Sequence, residues 1–149
     1  MTVDERVWVR RRMAKSHGKI PTDFIFDPHM KARELFYDDF SDTYYWSSRV
    51  AILAAELAVN RRFQEEGYVS LATYYDLVGN QSVPQEYQLY YWAVDNPYGY
   101  YWIDFDHIFM EASETPDGRC DCHMIIFADQ PMAEDEYELF NSPENLRTL

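Results

Sequence analysis

The strongest constraint on the fold is a helical period between Tyr44 and Glu66. Apolar residues fall at Trp46, Val50, Leu53 and Leu57, with a second row at Ile52, Val59 and Phe63, and this spacing predicts one long helix. Ser41 or Asp42 offers the N-cap and Gly67 the stop. Arg61 and Arg62 fall in the last turns, where they suit the helix dipole. Alanines at 51, 54, 55 and 58 let other elements approach closely. The rest of the chain has to be arranged around this central helix.

Upstream, Asp27-Pro28 places a capping residue before a proline suited to the first helical position, which predicts a short helix through about Phe40 with Met30, Leu35 and Phe36 turned inward. Residues 1–22 read as a basic arm, in which Val7, Trp8 and Val9 suit either a short strand or one helical turn. Downstream, Tyr68-Val69 reads as extended, and Ser70 caps a short helix from Leu71 to Val78 that Gly79 closes. After a loop over 80–86, Tyr87 to Val94 is rich in β-formers, and Asp95-Asn96-Pro97-Tyr98-Gly99 supplies turn chemistry. Tyr100 to Met110 alternates, with Tyr101, Ile103, Phe105, His107 and Phe109 on one face and Trp102, Asp104, Asp106 and Ile108 on the other. A third strand is expected near Cys120 to Ala128, then a very acidic helix from Met132 to Phe140 and a tail. The expectation is an α+β fold: a three-stranded antiparallel meander packed on the central helix and shorter helices, one domain over 23–149.

Charge is sorted along this frame. Residues 1–62 hold eleven of the thirteen Lys and Arg against nine acids, near +2; residues 63–149 hold Arg119 and Arg147 against seventeen acids, near −15, and together these give the net −13. The acidic part also carries most of the Tyr and Trp. Carboxylates on an aromatic scaffold repel nucleic acid and membrane headgroups and attract proteins that bind polyanions. A chain that is 47% hydrophobic and 17% aromatic is nonetheless expected to fold. Its longest apolar run, Val50 to Val59, is broken by Glu56, short of the ~20 residues of a membrane span. With no apolar leader ahead of Arg10-Arg11-Arg12, and only two cysteines, the sequence reads as soluble and intracellular.

The order Gly67-Tyr68-Val69-Ser70-Leu71, Tyr75-Asp76-Leu77-Val78-Gly79, Asp95-Asn96-Pro97-Tyr98-Gly99 and Trp102-Ile103-Asp104-Phe105 resembles the C-terminal part of a family of phage and prophage proteins, over about residues 43–128. Members carry membrane-like helices ahead of this region, and this chain has none there. The resemblance implies a viral or mobile-element origin and brings no established activity or catalytic residues.

Two clusters suggest chemistry, and each has a plainer reading. Cys120-x-Cys122-His123, with His107 on a neighbouring strand, has the residue types of a zinc site but lacks the usual two-residue cysteine spacer and a fourth ligand. The plainer reading packs Cys122 inward and turns His123 to solvent. Asp104-x-Asp106-His107 puts two carboxylates on one strand face without any accompanying phosphate loop or nucleophile motif. An exposed acidic strand face is the favoured explanation. His17 and His29 are isolated.

No catalytic residue, metal or cofactor is therefore expected. The reading is a non-enzymatic binding protein: a phage or mobile-element inhibitor that mimics nucleic acid and occupies a basic surface on a host defence protein. The expected contacts are Asp95, Tyr98, Tyr100, Trp102, Asp104, Asp106, Asp117, Asp121, Glu134, Asp135 and Glu136. The alternative is a virion or assembly component. Arg6, Arg10, Arg11, Arg12 and Lys15 would then dock on the acidic face of the next copy, forming a homo-oligomer. No nucleic acid and no membrane is expected as partner, and the host cytoplasm, or the virion in the alternative, is the expected location.

Overall fold

In a computed structural model, residues 2–21, 33–115, 118 and 120–141 are described. The first helix, α1 (Val3–Ala14), starts at a capping box: Thr2 Oγ1 accepts from the Glu5 N–H at 3.1 Å, and the Glu5 carboxylate accepts from the Thr2 N–H at 3.1 Å. The basic segment is thus a helix, and Val9 and Met13, one turn apart, bury themselves against a sheet.

That sheet has four strands in the order β2-β1-β6-β5. β1 (Glu34–Asp38) and β2 (Thr43–Ser47) form an antiparallel hairpin, β1 runs parallel to β6 (Cys122–Phe127), and β6 runs antiparallel to β5 (Phe105–Met110). Residues 34–38 and 43–47 are therefore strand where the sequence reading placed helix. Both strands are buried on both faces and so lack the alternation that marks a strand. Asp and Ser, taken as helix caps, here serve the turn between them, where Asp42 sits at φ 56°. Asp27, Pro28 and Met30 lie outside the described residues.

Alternation sends Leu35, Tyr37, Met110, Cys122 and Met124 toward α1. It sends Phe36, Ile125 and Phe127 to the other face, against α2 (Arg49–Glu66), α3 (Leu71–Val78) and a second sheet. α2 starts later than expected, capped by Ser48, and ends at Gly67 with φ 85° as expected. Its buried row is Ile52, Ala55, Val59, Asn60 and Phe63. Val50, Leu53 and Leu57 instead are 78%, 55% and 63% exposed, so of the two apolar rows legible in the sequence only the second faces the core.

The second sheet has the order β3-β4-β7, all antiparallel: β3 (Tyr68–Ser70), β4 (Tyr90–Ala93) and β7 (Met132–Ala133), followed by α4 (Glu134–Phe140). The fold is α+β and contains a three-stranded antiparallel sheet, but β4 and β5 lie in different sheets. Residues 100–104 are the crossing between them rather than part of a strand. Asn60 fixes that crossing: its Oδ1 accepts from the Ile103 N–H at 2.7 Å, and its Nδ2 donates to the Ile103 and Glu56 carbonyls at 3.0 Å. The core beneath is aromatic, with Tyr74 against Trp92, Phe105 and Phe127 at 6.2, 5.2 and 5.4 Å between ring centroids. Among the described residues no helix is long and apolar enough to cross a membrane.

One charge-bearing group lies wholly inside. Asp38 accepts through Oδ2 from Ser41 N, Ser41 Oγ and Tyr75 Oη at 2.8, 2.5 and 2.7 Å, while Oδ1 meets no donor among the described residues. Burial drives its carboxyl up from 3.8 to about 6, against the opposing pull of Ser41 and Tyr75. The folded chain therefore holds this proton more tightly than the unfolded chain does. The stability it contributes is full below about pH 4 and is lost as pH rises through about 6, roughly 3 kcal/mol in all. Asp38→Asn removes the titration. From about pH 4 to about pH 7.5, urea unfolding of the wild type should lose some 2–3 kcal/mol relative to the variant. A difference independent of pH would mean that the carboxyl is not desolvated.

Candidate functional site

The large sheet ends on β5, and β5 is flanked by a depression on each face. On the α2 side a cleft of about 370 Å³ is lined by Phe36, Arg49, Leu53, His107, Phe109 and His123 among others. Strand alternation places His107 and Phe109 together on this face of β5, and the first two turns of α2 deliver Arg49 and Leu53 opposite them. His123 stacks on Phe36 at 4.8 Å and leans on Phe109 at 5.1 Å.

Every charged group in this cleft has a partner within its own chain. The Arg49 guanidinium grips both oxygens of Glu34 at 2.9 and 3.0 Å, and His123 Nε2 lies 3.1 Å from Glu34 Oε1. Those bonds, Arg49's first, hold the Glu34 carboxyl below its usual range despite partial burial. His107 Nε2 meets Glu56 Oε2 at 2.5 Å, and this bond raises the imidazole above its ordinary value in spite of desolvation. These three contacts tie α2 to the edge strand β5 and to the start of β1, and β6 to the start of β1.

On the α1 side, a broader groove of about 760 Å³ is lined by Glu5, Trp8, Val9, Asp106 and Ile108, among others. The apolar surface continues along α2, where Val50, Leu53 and Leu57 form one row, to Trp102, which shares a depression with Leu57 and Ala58. Trp102 is 42% and Phe109 41% exposed.

The residues expected from sequence do not form one strand-borne surface. Asp95 and Tyr98 are exposed in the turn after β4, and Trp102 lies beside α2. Asp104 is exposed, its N–H held by Asp129 Oδ2 at 2.8 Å, and Asp106 faces the α1 groove on the opposite side of the sheet from His107. Asp121 accepts from the Ala112 N–H at 2.8 Å. Glu134, Asp135 and Glu136 form the first turn of α4, with Glu134 accepting from Tyr91 Oη at 2.8 Å. Tyr100 stacks on Phe63 at 5.7 Å and so belongs to the packing of the crossing. Asp117 lies outside the described residues.

The cations of α1 are largely spent within the chain. Arg6 and Arg10 share Glu114, and Arg12 binds Asp39 at 2.7 Å with its guanidinium 5.6 Å from the Tyr37 ring centroid. Arg11 and Lys15 are exposed and form no ion pair among the described residues. The suggested metal ligands separate: Cys122 points under α1 and His123 to the other face of the same strand. Among the described residues no three His, Cys, Asp or Glu side chains are grouped to hold a metal. Glu34, Arg49, Glu56 and Asn60 are the site-forming residues that sequence reasoning passed over. Glu56 did leave a signal, as the acid that breaks the apolar run of the helix.

The chain belongs to a family of unknown function, DUF6353, whose model matches residues 4–134, from α1 to the first residue of α4. Both depressions beside β5 fall within the matched span. No curated protein and no solved structure matches the chain.

The Glu56–His107 pair is testable directly. Its stabilisation is present while the imidazole is protonated and is lost as pH rises through the raised His107 value. Glu56→Gln should shift the His107 titration, followed by NMR, downward toward 6.5. An unchanged midpoint would mean that Glu56 is not the proton's partner.

Proposed function

We propose that this protein acts by binding rather than by catalysis, and that its partner is a protein with a basic surface. The observation that carries the reading is the exposed apolar row Val50, Leu53 and Leu57, flanked by the half-exposed rings of Phe109 and Trp102. Rows of this kind form the centres of protein interfaces. Exposed Asp95, Asp104, Asp106 and the acids of α4 surround the same molecule with negative potential, which speeds encounter with basic partners and disfavours acidic ones. Both imidazoles of the cleft are held by carboxylates of their own chain, and these contacts brace the surface.

In its narrower form, the reading makes the protein a phage or mobile-element inhibitor. It would occupy the nucleic-acid surface of a host defence protein, with carboxylates where phosphates would lie. The assembly alternative is the weaker one, because Arg6, Arg10 and Arg12, three of the five cations it assigns to the next copy, are engaged within the chain.

Two measurements test this. Leu53→Asp with Leu57→Asp, both at exposed positions, should change stability by less than about 1 kcal/mol, yet abolish capture of the partner that the wild-type protein retains from host lysate. Normal capture by the folded double variant removes the α2 surface from the reading. Duplex DNA should show no mobility shift with the protein, since a net charge of −13 repels the phosphate backbone. Submicromolar, salt-sensitive DNA binding would overturn the partner class.

A further inference from the structure

The β5 edge offers more than side chains. Ala128 N donates to Asp104 O at 3.1 Å, which sets the phase of the β5–β6 ladder: Asp106, Ile108 and Met110 turn their backbone groups toward β6. The Asp39 N–H bonds Ile125 O at 3.1 Å, so the alternate residues of β6 serve β1, and the two ladders agree. The N–H and C=O of His107 and Phe109 therefore point out of the sheet. Among the described residues no hydrogen bond reaches them and no strand lies beyond β5.

We propose that this open edge accepts an extended segment of the partner as a fifth strand of the large sheet, and that the segment alternates apolar and basic residues. The proposal rests on the binding reading above and names its mode. An added strand places successive side chains on opposite faces. Those opposite His107 and Phe109 enter the α2-side cleft, against the Phe109 ring and Leu53. Those opposite Asp106 and Ile108 enter the α1-side groove, where Asp106 and Glu5 are exposed carboxylates and Arg6 is already bound to Glu114. One side of the incoming strand meets carbon beside charges already paired within the chain, and the other meets the exposed carboxylates of Asp106 and Glu5 set among Trp8, Val9 and Ile126. Apolar residues alternating with Lys or Arg satisfy both, and a chain of net charge −13 favours such a segment over an acidic one.

The occupant is a partner strand rather than a second copy. Pairing two β5 edges in antiparallel fashion would set two chains of net −13 side by side, with Asp106 of each on the same sheet face.

The test uses the full chain and a blocked octapeptide of alternating valine and lysine, with two N-methylated isomers and a control of the same composition with valines and lysines in separate blocks. The alternating peptide should bind saturably and slow amide exchange at His107 and Phe109, while Asp106 and Ile108, already bonded to β6, change little. N-methylation removes donors along one edge of the peptide. Methylating the valines should weaken binding by about tenfold or more for an antiparallel strand, and methylating the lysines should do so for a parallel one, with the other isomer unaffected. Equal binding of both isomers, or equal loss, overturns strand addition. Equal binding of the block peptide also overturns it, but leaves the basic-partner reading standing. Absence of binding by any peptide overturns the proposal, while the capture experiment on the Leu53 and Leu57 variant judges the broader reading separately.

Discussion

The large sheet must be covered twice, and most of the structure follows from that. Its central pair, β1 and β6, runs parallel and is buried on both faces almost throughout. Parallel pairs seldom survive with one face in water. α2, α3 and the small sheet cover one side, and among the described residues the element that covers the other is the basic helix α1. Detaching α1 would expose Leu35, Tyr37, Met110, Cys122 and Met124 together. The burial of Val9 and Met13 fixes the azimuth of the helix, and that azimuth delivers Arg6 and Arg10 to Glu114 and Arg12 to Asp39. Part of the negative charge is thus neutralised by the element that closes the core.

The crossing from the small sheet to the large one is held by buried amides instead of a ladder. Asn96 Nδ2 donates to the Ala93 and Tyr100 carbonyls at 2.9 Å, and its Oδ1 accepts from Tyr98 N at 3.0 Å. Asn60 then takes both backbone groups of Ile103. Backbone groups in an irregular buried stretch need such partners, and these two side chains determine that Ile103 points inward and Trp102 outward. The aromatic rim beside α2 and the angle at which β5 enters the sheet depend on them.

The parts that were legible in the sequence are the locally determined ones. Ser70, Leu71–Val78 and Gly79 gave a helix with both ends as expected, because a capping hydroxyl and a left-handed glycine act within a few residues. The phase of β5 was also legible: Phe105, His107 and Phe109 do share a face. Strand pairing was legible only in part. The meander expected Tyr100–Met110 antiparallel to the strand near Cys120 to Ala128, and β5 does pair with β6 in that way, but nothing in Tyr87–Val94 says that it pairs with residues 68–70 and 132–133 instead, since partners so distant in sequence are chosen by the whole core. β1 and β2 were missed for a related reason. Leu35-Phe36-Tyr37 and Thr43-Tyr44-Tyr45-Trp46 are strong β-formers, but burial on both faces leaves no alternation, and nearby Asp and Ser gave a competing helix signal. On α2, periodicity established the helix and offered two apolar rows without saying which one the sheet would take.

The two edges of the large sheet are treated differently, and the difference bears on function. Beside β2, the chain leaving α1 runs close. Gly18 lies where a Cβ would fall 2.6 Å from the Asp42 carbonyl oxygen, so only glycine permits that approach, and Trp46 Nε1 donates to Pro21 O at 3.1 Å. Beside β5 there is no such cover among the described residues. Bare edges invite association, and proteins commonly guard them with charge. Asp106 and His107 are the charged residues of β5, yet neither blocks the backbone: Asp106 faces the α1 groove, and Glu56 draws the His107 ring toward α2. The side chains that would shield a solitary edge are thus turned to its two flanks, where they set the chemistry of the depressions while the outward amides between them stay accessible.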